Sequence, residues 1–316
     1  MCCKTCYSDI NNGKVLLSFN KIKELLTDAK TQGISFISIT GGEPTLHPEI
    51  FKIIKYIKQN GFYVHMNING SILNSEIINI LRLVDGFGVS LDSVNRREFE
   101  NIRGRNLIKE IIINIKKLVT EKLDFNIVTV VNAKNKDSLD NLLDVIIDLG
   151  VKKIKFNYFL PIGRGANNKD LILSYNEYIK IYEQLLKKYS DKLEILKDSN
   201  LFYFRFSNAK DKRILKSNTI SCGAYTRRLA IKTNGDVFGC LLLSLPPYVI
   251  GNVYKKPLID IIKMDLQKYF SKKTYTKLKT KPCLECVNQK YCGLGCLTFY
   301  VKNQGILDPR CEWVKK

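Results

Sequence analysis

Ile34-Ser35-Phe36-Ile37-Ser38-Ile39-Thr40-Gly41-Gly42-Glu43-Pro44 is a short, mostly apolar run that breaks into a glycine-rich polar loop. An apolar run of this length, bounded by turn residues, reads as a buried strand. Upstream of it, Ile22, Leu25, Leu26 and Ala29 recur at i, i+3, i+4 and i+7, and Gly33 closes that helix. Downstream, Ile50, Ile53, Ile54 and Ile57 repeat the helical spacing between Pro48 and Gly61. The same strand-then-helix pattern continues along the chain. Strands are expected at Phe62–Met66, Gly86–Leu91, Phe125–Val131 and Ile154–Tyr158. Between them, helices are expected over Ile77–Leu83, around Ile108, Ile111, Ile112 and Ile115, and around Leu139, Leu142, Leu143 and Ile146. Most units recur at intervals of roughly 24 to 28 residues, the rhythm of βα units around a buried parallel sheet. The loop reads Gly-Gly-Glu-Pro rather than GxGxxG, which favours an open barrel over a dinucleotide-binding sheet. The expected fold is α/β, a partial (β/α)6 TIM-like barrel. The chain begins in a cysteine loop rather than a strand, so the barrel is expected to lack its first strand.

A further periodic helix runs from Tyr175 to Leu186. Residues 199–221 carry little pattern and form the expected bridge. Beyond Cys222 the strands shorten (Leu229–Lys232, Val237–Cys240), turns multiply and cysteines supply the framework. Residues 1–200 are therefore expected to form the barrel domain and residues 201–316 a small cysteine-rich α+β domain.

The 316 residues are 45% hydrophobic and 26% charged. A chain this long buries roughly three-quarters of its unfolded surface and needs no cross-links to stay folded. Its ten cysteines therefore call for a functional explanation. No long uncharged apolar stretch spans a membrane, and Met-Cys-Cys-Lys-Thr-Cys is no signal peptide, so a cytoplasmic location is expected. In a reducing compartment, cysteines at short fixed spacings point to metal or catalysis rather than disulfides. Lys and Arg number 51 against 30 Asp and Glu, a net charge of +21. The lysines are spread as singles and pairs such as Lys116-Lys117 and Lys187-Lys188, with no basic block interleaved with aromatics. No nucleic-acid partner is expected.

In parallel β/α barrels, functional residues sit on loops at the C-terminal ends of the strands. Those positions here carry Thr40 to Pro44, then Asn67-Ile68-Asn69-Gly70, Ser90-Leu91-Asp92, and Pro161-Ile162-Gly163-Arg164-Gly165. Any one of them reads as an ordinary turn. Together, on one rim beside a cysteine loop, they read as a site.

Cys3-Lys4-Thr5-Cys6-Tyr7 resembles the second half of the CxxxCxxC loop of radical S-adenosylmethionine (SAM) enzymes, and Gly41-Gly42-Glu43-Pro44 matches their GGEP motif. The distal cysteines, Cys222, Cys240, Cys283, Cys286, Cys292, Cys296 and Cys311, with Gly235 between the first two, resemble the signature of the SPASM extension. That extension carries auxiliary iron–sulfur clusters in peptide-modifying members. A lone CxxC would suit zinc as well as iron; all these spacings together favour iron. The resemblance implies three 4Fe-4S clusters, one binding SAM and two auxiliary. It implies that Cys3 and Cys6 ligate the first. It also implies one cluster on Cys283, Cys286, Cys292 and Cys311, and another on Cys222, Cys240 and Cys296. The third thiolate set lacks a fourth cysteine, which leaves either a non-cysteine ligand or an iron open to a substrate thiolate. By the same resemblance, Gly41 and Gly42 meet the methionyl amino group of SAM and Ser90 its ribose or carboxylate. Arg103 meets the carboxylate and Arg164 the nucleoside. Asn69 and Asp92 either join them or order their own loops.

The first cysteine of CxxxCxxC would stand four positions before Cys3, ahead of Met1. Two readings follow. In one, the true first ligand precedes Met1, and this chain holds iron mainly through its distal cysteines and cleaves SAM poorly. In the other, Cys2 substitutes, although adjacent side chains in an extended loop point apart. His47, ahead of Pro48, is expected to cap a helix; His65, within a strand, to pack; and Trp313 to anchor the core beside Cys311.

The resemblance implies an enzyme that cleaves SAM reductively to a 5′-deoxyadenosyl radical and abstracts hydrogen from a peptide or protein side chain. The electron donor would be a flavodoxin or ferredoxin. The positive charge suits an acidic leader peptide and equally a composition bias. Two alternatives stand beside this reading: oxidation or decarboxylation of a small metabolite or tetrapyrrole side chain, and a non-catalytic iron–sulfur or zinc-binding remnant.

Overall fold

Alternating burial along the strands shows how the sequence builds its sheet. Phe125–Val131 alternates between fully buried and half-buried residues along its whole length, and Tyr63–Ile68 alternates in the same way. In chain order the first unit runs α1 (Phe19–Thr31), β1 (Phe36–Ile39), α2 (Ile50–Gln59), β2 (Tyr63–Ile68), α3 (Ser75–Leu83) and β3 (Gly86–Ser90). It continues through α4 (Arg96–Arg103), α5 (Ile108–Thr120), β4 (Phe125–Val131), α6 (Leu139–Asp148), β5 (Lys153–Tyr158), α7 (Tyr175–Tyr189) and β6 (Glu194–Leu196). The six strands form one parallel sheet in sequential order β1 to β6. This computed structural model describes residues 3–7, 15–196, 224, 225, 228–244, 248–264 and 298. The chain divides into two compact units, Met1–Lys197 and Asp198–Lys316.

One sheet face is a closed apolar core. Val64, Met66, Phe87, Val89, Ile127, Ile154 and Phe156 are all buried there. Helices cover this face. The Phe156 ring meets Tyr182 of α7 edge-on, with centroids 6.3 Å apart. Ile53, Ile54 and Ile57 of α2, and Ile111 and Ile115 of α5, supply the helical side. The other face carries half-buried polar side chains instead: His65, Asn67, Ser90, Asn126, Lys155 and Asn157.

Helix ends follow the expected chemistry. The Ser18 hydroxyl accepts from the Lys21 amide at α1, and Asn74 accepts from Ile77 at α3. Ser174 and Glu177 close a reciprocal capping box at α7. His47 serves the turn ahead of α2: its Nδ1 accepts from the Glu49 amide at 3.1 Å, so Nε2 carries the proton toward the Leu17 carbonyl at 3.2 Å.

Two elements of the first unit were not legible in the spacing. β6 adds a sixth strand to the five expected, on only three residues. α4 buries Phe99, Ile102 and Arg103, so a charged residue occupies an inward position and hides the apolar period.

In the second unit, β7 (Ala230–Ile231), β8 (Asp236–Phe238) and β9 (Gly251–Asn252) form an antiparallel sheet, followed by α8 (Leu258–Lys263). Gly235 turns the chain between β7 and β8 at φ 87°, and a Cβ there would lie 2.4 Å from the Tyr254 ring and 2.9 Å from Asn252 Oδ1. Gly235→Ala is therefore expected to destabilise this unit by about 2 kcal/mol or more, from left-handed strain plus the clash. Urea denaturation followed by a probe in residues 228–264 measures it, and an unchanged midpoint contradicts the account. Among the described residues, no helix is long and apolar enough to cross a membrane.

Candidate functional site

The C-terminal rim of the parallel sheet is where strand ends, loops and the cysteine segment converge. Cys3–Tyr7 is fixed there chiefly by its peptide groups. The Lys4 amide donates to the Ile102 carbonyl at 2.8 Å, tying the loop to α4. The Gly165 amide donates to the Cys6 carbonyl at 3.1 Å, and the Cys6 amide to the Cys3 carbonyl at 3.3 Å. Asn168 Nδ2 reaches the Lys4 carbonyl at 3.2 Å, and Arg164 Nη1 the Cys3 carbonyl at 3.4 Å. Tyr7 and Thr40 share a hydroxyl–hydroxyl bond at 3.2 Å, which joins the loop to the end of β1. The 3₁₀ turn Gly163–Asn167 after β5 thus grips the cysteine loop from one side and α4 from the other. Arg164, which the resemblance places toward a nucleoside, donates here to the Cys3 carbonyl.

Beneath the loop lies a buried ion pair. Arg103 Nε stands 2.6 Å from Asp92 Oδ2, with side chains 10% and 0% exposed. The N–H does not point along the contact, so charge rather than an aligned hydrogen bond joins these two atoms. Asp92 Oδ1 accepts from the Val130 amide at 2.8 Å, and the Asp92 carbonyl accepts from Asn135 at 2.7 Å. Asp92 therefore orders the ends of β3 and β4 and aims Arg103. Arg103 Nη1 in turn lies 3.9 Å from Cys3 Sγ. Burial works against the guanidinium charge, but Asp92 and Cys3 outweigh it and raise the Arg103 pKa.

Glu43 ties two rim loops together. Its Oε2 accepts from the Asn69 amide at 2.7 Å, and its Oε1 from the Thr45 hydroxyl at 2.6 Å and the Thr45 amide at 3.2 Å. Burial pushes the Glu43 pKa up, against the pull of these donors. The folded state therefore holds its proton more tightly than the unfolded state does. That contribution is complete below the unfolded value, near 4.3, and is lost as pH rises through the folded value. Glu43→Gln lacks this titration and costs about 1–3 kcal/mol by facing an amide donor toward the Asn69 N–H. Its deficit relative to the parent is expected to shrink between pH 4.5 and pH 7 in urea denaturation. A constant deficit contradicts this.

Asn69 Oδ1 accepts from the Ser71 amide at 2.8 Å and the Ser71 hydroxyl at 2.7 Å, so its carboxamide oxygen orders its own loop. Ser90, half-buried at the end of β3, makes no side-chain hydrogen bond among the described residues. Gly41 and Gly42 are exposed, with Gly41 at φ 152° and open space where a Cβ would stand. Pro44 is buried at the start of the turn Pro44–Leu46. The rim thus gathers Cys3, Cys6, Asp92, Arg103 and Arg164 around one loop, with Glu43 and Asn69 joined beside it. Thr40, Tyr7 and Gly165 stand inside the motifs quoted from the sequence without a role of their own, and Asn168 outside them, because their bonds to the loop leave no periodic signal.

Cys240 follows β8, half-buried, at the start of the turn Leu241–Leu243 in the second unit. Cys2, Cys222, Cys283, Cys286, Cys292, Cys296, Cys311 and Trp313 lie outside the described residues. Among the described residues, no three His, Cys, Asp or Glu side chains gather as a metal site. Cys3 and Cys6 nevertheless suit a thiolate-bound cluster. They sit on a loop with pinned peptide groups, and a buried guanidinium against one sulfur balances the negative charge that thiolate ligands bring.

Comparison with known proteins adds to this geometry. Residues 1–146 match the radical SAM superfamily and residues 222–287 match the SPASM iron–sulfur cluster-binding domain. The chain is 28% identical over 239 residues to a probable GTP 3′,8-cyclase of Sulfurisphaera tokodaii, covering 73% of this chain and 74% of that protein. It is 25% identical over 293 residues to an AdoMet-dependent heme synthase of Methanosarcina barkeri, covering 89% and 82%. Among solved structures, Streptococcus suis SuiB bound to the precursor peptide SuiA superposes with a TM-score of 0.79 at 17% identity, covering 98% of this chain and 72% of SuiB. The enzyme anSMEcpe with bound AdoMet gives 0.77 at 17% identity, covering 99% and 87%. These two domains imply 4Fe-4S clusters and S-adenosylmethionine as cofactors, and the expected open β/α barrel agrees with the parallel sheet observed. This chain carries a radical SAM domain over residues 1–146 and a SPASM iron–sulfur cluster-binding domain over residues 222–287.

Proposed function

We propose that this protein is a radical SAM enzyme acting on a side chain of a peptide or protein. The observation that supports this most is the pairing of a SPASM domain with whole-chain likeness to SuiB bound to its precursor peptide. When bound, the cluster and SAM supply a 5′-deoxyadenosyl radical that takes a hydrogen atom from substrate.

The chain's own residues bind and orient. Cys3 and Cys6 would hold the first cluster, and Cys222, Cys240, Cys283, Cys286, Cys292, Cys296 and Cys311 the auxiliary pair. Exposed Gly41 and Gly42 offer backbone groups to the methionyl amino group, and Ser90 offers an uncommitted hydroxyl. Arg103, kept charged and aimed by Asp92, lies where it can balance both a thiolate and the SAM carboxylate. Glu43 and Asn69 hold the loops that frame these groups. A flavodoxin or ferredoxin in the cytoplasm would deliver the electron.

Reduction with SAM and side-chain-deuterated peptides, translated from short open reading frames beside the gene, tests the reading. Deuterium in 5′-deoxyadenosine supports it. Sequence likeness to a GTP cyclase and a heme synthase favours a second reading, a small-metabolite substrate. Deuterium arriving only from such a metabolite would replace the first reading with the second.

A further inference from the structure

The sheet face away from the helices carries polar groups that the other described residues leave unused. His65, Asn67, Ser90, Lys155 and Asn157 are half-buried there, and among the described residues none makes a side-chain hydrogen bond. Half-buried donors without partners are costly unless water or a ligand satisfies them. Lys155 stands out further because it has no carboxylate partner among the described residues. Lys153, two residues earlier on β5, pairs with Asp124 at 2.8 Å.

Register places Lys155 close to the reaction chemistry proposed above. Val128 pairs with both Ser90 and Lys155, so the three form one row across β3, β4 and β5. Asn157, opposite Val130, is the next residue on this face toward the C-terminal rim. Gly86 and Gly88 present no side chains on β3, and Asn67 and Val128 lean over the space at Gly88. The Lys155 charge reaches His65 on β2: burial first, and then this charge, hold the His65 pKa below its usual value. One lysine on a face whose other polar groups, Asn67, Ser90 and Asn157, carry no charge matches a single negative charge, whereas a polyphosphate would call for several cations.

We propose that Lys155, assisted by Asn157, binds a carboxylate borne by the substrate on the polar face of the sheet. This rests on the peptide reading, in which the carboxylate belongs to an acidic side chain of the substrate.

The test titrates N-acetylglutamate N-methylamide and its glutamine counterpart into the full chain by NMR. The parent is expected to bind the glutamate probe about tenfold more tightly, about 1.4 kcal/mol. Lys155→Gln should bring the two within about twofold, Lys155→Arg should restore the preference, and Lys153→Gln should leave it intact. Equal affinities in the parent, or a preference that survives Lys155→Gln, overturn the proposal. GTP binding more tightly than the glutamate probe and depending on Lys155 also overturns it, by assigning the site to phosphate. Failure of the peptide reading in the deuterium assay is a separate outcome, because the glutamate-over-glutamine preference is read without turnover.

Discussion

Asp92→Ala is expected to destabilise the first unit by about 3–5 kcal/mol, the usual consequence of leaving one member of a buried ion pair uncompensated. Arg103 would remain inside with no counter-charge, and the Val130 amide would lose its acceptor. Asp92→Asn keeps an acceptor for Val130 and should cost less. The double variant Asp92→Leu/Arg103→Met removes both charges and should lose less than the sum of the two single variants, since a buried pair is worth little more than apolar residues of similar volume. Urea midpoints of the parent, Asp92→Leu, Arg103→Met and the double variant measure this. Strict additivity would contradict the assignment of Asp92 as the residue that holds Arg103. The double variant also separates stability from the site, because it keeps the fold while removing the guanidinium beside Cys3.

The second large effect concerns positioning. Arg164→Ala/Asn168→Ala removes both side-chain bonds from the 3₁₀ turn after β5 to the cysteine loop. Neither side chain is part of the apolar core, so stability should fall by only about 1–2 kcal/mol. SAM cleavage should fall far more, by about 10²-fold, because a displacement of roughly 1 Å in a reacting group has consequences of that order. The electron paramagnetic resonance spectrum of the reduced first cluster should broaden or shift, a change that simple loss of stability does not produce. An unaltered spectrum and rate would mean that the backbone bonds from Ile102 and Gly165 hold the loop unaided.

Legibility in the sequence followed physical origin. Ile53, Ile54 and Ile57, and Leu142, Leu143 and Ile146, announce their helices because burial imposes the helical period. The strands with strict alternation were equally legible. α4 was not, because its inward positions include Arg103, whose burial depends on Asp92, a residue eleven positions earlier in the chain that periodicity cannot weigh. β6, three residues long, is too short to show any period. At the site, Gly41 to Pro44 and the cysteines were visible as motif. The grip of Arg164, Asn168 and Gly165 on the cysteine loop was not, since bonds to the backbone between residues more than a hundred and fifty positions apart leave no local pattern. His65, expected to pack within its strand, stands half-buried on the polar face that Lys155 shares.

The central claim is that the loop bearing Cys3 and Cys6 supports reductive cleavage of SAM. Formation of 5′-deoxyadenosine by the anaerobically reconstituted full-length protein, with and without Cys6→Ala, tests it most directly. With Cys2 as the third thiolate, the account predicts 5′-deoxyadenosine from the parent and none above background from Cys6→Ala, with the iron of the distal cysteines retained. Equal yields from the two proteins would contradict it.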